Sequence, residues 1–114
     1  MTKDRVKPAD CRNMTEVRHG VDRLDEEIVA LLGERFRYMD AAARIKPSRE
    51  AVRDEGRKAE VIGNVRRLAL GAGVDPETAG ALYERLVEAS IAYEHVTFDA
   101  LRAEEDTRPN AAGG

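Results

Sequence analysis

Apolar residues fall on one stripe through the first third of the chain. In MTEVRHGVDRLDEEIVALLGERFRYMDAAARIK, residues 14–46, they recur at Val17, Val21, Leu24, Ile28 and Leu31, then at Tyr38, Ala42 and Ile45. The steps alternate four and three, the period of one helical face. The pattern predicts a helix that starts near Asn13 to Thr15. Thr15 is a candidate cap, but the residue three further on is Arg18, so no capping box forms there. Gly20 and Gly33 weaken the helix by about 1 kcal/mol each. Pro47 disfavours helix in the residue before it and ends the element at Lys46. One position on the stripe, Arg35, is charged rather than apolar.

The segment PSREAV, 47–52, reads as a loop. A second helix opens near Arg53 or Asp54, carries Val61, Ile62, Val65, Leu68 and Ala69, and stops at Gly71-Ala72-Gly73. A third starts with Asp75 as cap, Pro76 in the first turn and Glu77 at the positive end of the dipole. Its stripe is Leu82, Tyr83, Leu86, Val87, Ile91, Phe98 and Leu101. Residues 1–12 read as a flexible arm, 13–102 as the helical domain and 103–114 as a disordered tail. The expected fold class is therefore all-α, with three helices and a long first one. At about 1.5 Å per residue that first helix spans roughly 45 Å, more than two shorter helices cover within one compact copy. An intertwined homodimer follows as the expectation; the alternative is a three-helix monomer with a protruding helix.

Composition narrows the function. Charged residues make up 36% of the chain and aromatics 4%, which suits a helical protein. The formal net charge of −3 supplies no global basic field, and the arginines are scattered among as many acids, which argues against a nucleic-acid binder. Cys11 is the only cysteine, so no internal disulfide forms. His19 and His95 have no ligand-like partner at i+4, so neither a metal nor another cofactor is expected. The polar start MTKDRVKPAD is unlike a signal peptide, and no stretch has membrane-spanning length. The expected compartment is the cytoplasm.

Polar residues interrupt the apolar stripes at a few places. Lys46 lies three turns beyond Arg35 on nearly the same face, about 16 Å along the axis. Long basic side chains at these two places can converge on one small anion. Arg18 lies about 25 Å before Arg35 and reaches the same ligand only from a partner chain. On the third helix, in ASIAYEHVTF, Ser90 and Glu94 stand one turn apart in line with Tyr83, Val87 and Phe98. They either form a pocket wall, or Ser90 bonds its own helix backbone while Glu94 tips into solvent. Asp54 and Arg57 open the second helix and either join the site or form a local i,i+3 ion pair. No Ser or Cys stands with a plausible His base, so the candidate set suits electrostatic positioning rather than covalent catalysis.

These residues resemble the all-helical chorismate mutase family. The resemblance runs from about Val17 to Leu101 and is carried by Arg18 with VDRLDEEIVALLGERF, by the Arg35–Lys46 spacing, by VRDEGR at 52–57 and by ASIAYE at 89–94. It implies an intertwined dimer with two equivalent pockets and a substrate with two carboxylates, an enolpyruvyl ether and a ring hydroxyl. It further implies that Arg35 and the partner chain's Arg18 grip the carboxylates. Lys46 would bond a carboxylate and the ether oxygen, with Arg57 supporting the ring-carboxylate side. Asp54 would take the ring hydroxyl and Ser90 would lie near the ring carboxylate. The implied reaction is the one-step rearrangement of chorismate to prephenate. Related isochorismate pyruvate lyases share the fold, and Asp10-Cys11 with RFRYMDAAARIK looks at least as much like them; Asp54 and Ser90 fit the mutase pattern better. An aminochorismate mutase is a further alternative. A non-catalytic dimerisation or regulatory module explains the long stripe but not its charged interruptions.

The family commonly has Gln where this chain has Glu94. Gln donates a hydrogen bond to the ether oxygen, whereas a carboxyl group donates only when protonated. Turnover is therefore expected to rise toward acid pH, and Glu94→Gln is expected to flatten the profile. Superimposable pH–rate curves for the two proteins would contradict this role.

Overall fold

The computed structural model describes residues 5–107. Helix α1 runs Met14–Ile45, α2 Glu55–Ala72 and α3 Pro76–Thr107, with short 3-10 turns at Pro8–Asp10 and Arg49–Val52. No strand occurs among the described residues. The chain divides inside α1 into two compact units, one ending at Arg37 and the other beginning at Tyr38.

In the N-terminal unit, α1 is capped two positions earlier than Thr15. Asn13 Oδ1 accepts the Glu16 N–H at 2.9 Å, and Glu16 Oε1 accepts the Arg12 N–H at 2.7 Å. Asn13 is thus the side-chain cap, and the Glu16 carboxylate reaches back to the N–H of the residue before it. Residues 5–12, expected as a flexible arm, instead hold defined contacts with α1. Arg5 pairs with Glu27 at 3.4 Å, and Val6, Pro8 and Cys11 share an apolar cavity of about 160 Å³ with Val17, Gly20, Val21 and Leu24. Residues 1–4 of that expected arm lie outside the described residues. The stripe residues Val17, Val21, Leu24, Ile28 and Leu31 are exposed in the single chain.

The second unit holds the core. Ala43 from the end of α1, Val52 from the 3-10 turn, and Val87, Ile91 and Phe98 from α3 are buried together, with Val61, Tyr83 and Leu101 packed against them. The expected loop at 47–52 is thus partly ordered as Arg49–Val52, and burial of Val52 accounts for it. Tyr93 Oη donates to Asp40 Oδ1 at 2.7 Å and ties α3 to α1.

Helices α2 and α3 form an antiparallel hairpin. Gly73 adopts φ 73°, the left-handed conformation that glycine takes without penalty, and its N–H bonds back to Leu70 O at 3.4 Å while Val74 N–H bonds to Ala69 O at 2.9 Å. Asp75 then caps α3 by accepting the Thr78 N–H at 3.0 Å. Ion pairs step in opposite directions along the hairpin: Arg53, two residues before α2, pairs with Glu88, followed by Lys58–Glu84 and Arg66–Glu77. Arg66 crosses close over Gly80, where an added Cβ would lie 3.3 Å from the guanidinium and require the arginine side chain to shift slightly. The expected tail begins too early: α3 continues through 103–107, and residues 108–114 lie outside the described residues.

Glu88 receives hydrogen bonds from Arg53 and Lys58, which hold its carboxyl down at about 2, well below the usual glutamate range. A carboxyl lowered on folding contributes stability above its unfolded value and loses it as pH falls toward the folded one. The melting temperature of the native chain is expected to drop between about pH 4.5 and pH 2. Glu88→Gln should melt lower than the native chain at pH 7, and the two curves should converge by pH 2. Parallel curves in thermal denaturation would contradict the assignment.

Candidate active site

Lys46 is placed by the end of α1. Its N–H closes the last turn on Ala42 O at 2.8 Å, and Pro47 then turns the chain away. Its ammonium lies 2.8 Å from Glu94 Oε2 and donates to Val52 O at 3.3 Å. Glu94 is only 3% exposed, and Ser90, one turn before it on α3, is equally buried. The Lys46 charge meets Oε2 directly, and this buried oxygen has no hydrogen-bond partner among the described residues. A buried carboxylate left without its cation typically costs about 3–5 kcal/mol, less where the partner is partly solvated, as the Lys46 side chain is at 29% exposure.

The arrangement separates the two readings of the third-helix interruption. Glu94 points into the protein rather than tipping into solvent. Ser90 is buried, and its hydroxyl donates to Leu86 O at 2.7 Å, the back-bond to its own helix. Glu94 thus lies beside the Lys46 ammonium inside the second unit, whereas Ser90 is buried with its hydroxyl bonded to its own helix backbone, so each reading holds for one of the two residues.

Asp54 and Arg57, expected either in the site or in a local i,i+3 ion pair, make a backbone cap instead of a side-chain pair. Asp54 is the cap of α2, with Oδ1 accepting the Arg57 backbone N–H at 2.9 Å. The Arg57 guanidinium turns to Glu60 at 2.5 Å and is exposed. In this structure both side chains engage the first turns of α2 rather than the Lys46–Glu94 pair. The Val52 carbonyl held by Lys46 is nevertheless only two residues before Asp54, so the start of α2 borders the site. Arg18 and Arg35 belong to the N-terminal unit, Arg18 exposed and Arg35 half-buried.

Contacts around Lys46 involve residues that pattern reading missed. Arg102 Nη2 donates to Lys46 O at 2.9 Å, and its guanidinium carbon stands 4.0 Å from the centre of the Phe98 ring. The Phe98–Arg102 spacing of four residues was the available signal, because residues at i and i+4 meet on a helix. Arg49 binds Asp99 with two hydrogen bonds, at 2.8 and 3.2 Å, and so ties the 3-10 turn to α3. Nothing local in the sequence pairs these two residues.

Sequence comparison supplies the family. The profile described as chorismate mutase type II matches residues 17–95, which include Arg18, Arg35, Lys46, Asp54, Arg57, Ser90 and Glu94. The chain belongs to the chorismate mutase type II family. It is also 33% identical over 85 residues to an isochorismate pyruvate lyase of Pseudomonas aeruginosa, an alignment covering 75% of this chain and 84% of the relative. The all-helical architecture agrees with the family, and the family match together with this relative supports an enzyme of the chorismate-utilising class.

Proposed function

We propose that this chain is a chorismate mutase, with residues 13–102 as its catalytic helical domain. The observation that carries the reading is the Lys46 ammonium set against the buried Glu94 carboxyl, with buried Ser90 one turn away. In the proposed reaction the ether C–O bond of chorismate breaks as a C–C bond forms, in one step and without a covalent intermediate. Lys46, with Glu94 beside it, stabilises charge developing on the ether oxygen, which speeds reaction only so far as the pair binds that charge better than the ground state. Arg35, and Arg18 from a second copy, hold the carboxylates. Asp54 and Arg57 turn toward the ring hydroxyl and ring carboxylate when substrate is present, and Ser90 lines the ring-carboxylate side. No cofactor takes part, and the reading carries a cytoplasmic location with it.

The homodimer is part of the same proposal. Val21, Leu24, Ile28 and Leu31 are exposed along α1 in the single chain, and Arg18 is exposed beside them. A second copy would bury this stripe at roughly 25 cal/mol per Å² of apolar surface removed from water. Sedimentation equilibrium is expected to give twice the chain mass of 12.6 kDa. A single-copy species at micromolar concentration would remove Arg18 from the site.

One observation favours a second reading, isochorismate pyruvate lyase, namely the relative of that name at 33% identity. Incubation with chorismate and, separately, with isochorismate distinguishes the two. Prephenate formation from chorismate, lost by at least about a hundredfold in Lys46→Met, is the expected result. Pyruvate release from isochorismate without prephenate formation would install the lyase reading instead.

A further inference from the structure

We propose that Arg102 is a positioning residue for the Lys46 ammonium, an inference that extends the proposed active site to the last turns of α3. Lys46 is the point where α1 gives out. Its N–H is satisfied by the helix, but Pro47 prevents the next turn from continuing past its carbonyl. Arg102 supplies a donor to that carbonyl at 2.9 Å. The guanidinium is itself oriented, because its carbon lies 4.0 Å from the centre of the ring of Phe98, which is buried in the core. The backbone of Lys46 is thereby fixed to α3, the helix that also carries Glu94.

This matters because a lysine side chain is a flexible four-carbon stem carrying a point charge. Fixing its backbone origin reduces the range over which the ammonium wanders. The same ammonium donates to Val52 O, and the segment between Lys46 and Val52 is held a second time where Arg49 binds Asp99. Arg102, Asp99, Phe98 and Glu94 lie within three turns of one helix, so the carboxyl and the restraints on its cation share a single rigid frame. Arg102 touches no reacting atom in this arrangement. Its effect passes through Lys46.

The test compares Arg102→Met with Arg102→Lys in the full-length protein. Met retains an unbranched stem over Phe98 and removes the donor; Lys retains a donor and a cation. Both variants are first checked for the native helical content and a cooperative melt. Competitive acetylation read site by site by mass spectrometry then reports how accessible each lysine is. Acetylation of Lys46 is expected to rise several-fold in Arg102→Met and to return toward the native rate in Arg102→Lys, with Lys58 unchanged in both. A native Lys46 rate in a folded Arg102→Met protein would overturn the proposal.

Turnover gives an independent readout. Since small misplacements of a reacting group are costly, kcat in Arg102→Met is expected to fall by about ten- to a hundredfold with KM altered far less, and Lys is expected to restore part of it. Equal loss in the Met and Lys variants would again count against positioning. Absence of turnover in the native protein, on chorismate and isochorismate alike, would refute the proposed activity alone, and the acetylation rates would still decide the role of Arg102.

Discussion

A carboxyl group taken out of water has to be met by a cation, and that requirement organises the second half of this molecule. Glu94 lies among Val87, Ile91 and Phe98 on the buried side of α3. Uncompensated, it would be among the most costly groups in so small a core. Lys46 meets it from α1, the Val52 carbonyl shares the ammonium, and Tyr93 next door binds Asp40 one turn and a half back along α1. The junction of α1, the 3-10 turn and α3 is thus a polar centre wrapped in a modest apolar shell. The chain keeps a charge pair where a leucine pair would pack more simply. Such a choice is hard to account for by stability alone and easy to account for by a ligand with charge of its own.

The second constraint is the shortage of apolar surface to bury. The fully apolar buried set is Ala43, Val52, Ala69, Ala79, Val87, Ile91 and Phe98, of which three are alanines. Alanine contributes little area, so much of the burial expected from α1 is deferred to whatever covers its stripe. On α2 and α3 the deficit is offset along the rim, where Arg53, Lys58 and Arg66 reach across to glutamates on the opposite helix. Individually such exposed pairs add little, but three of them in one register help to set it.

The fold was largely legible because its punctuation is chemically explicit. Pro47 stopped α1, Gly73 stopped α2, and Asp75-Pro76 started α3, each for a reason visible in the residue itself. The errors fell where the deciding interaction is reciprocal or distant. Thr15 looked like the cap although Asn13 takes the Glu16 N–H, with the Glu16 side chain reaching back to the Arg12 N–H. The end of α3 was placed too early because 103–107 carry no apolar stripe, and polar residues extend a helix without announcing it. Around the candidate site, the buried positions of Ser90 and Glu94 were legible from helical phase, since a polar residue on a buried line stands out. Arg102 was not, because its acceptor is a backbone carbonyl and no side-chain pattern records that.

The tight Gly73-Val74-Asp75 joint also sets the order in which contacts become cheap. Arg66 and Glu77 are 11 residues apart, whereas Arg102 and the Lys46 carbonyl are separated by 56. Closing a short loop costs less chain entropy than closing a long one, and contacts of small sequence separation form faster. The hairpin is therefore the natural nucleus, and the polar centre is assembled on a surface the hairpin has already built.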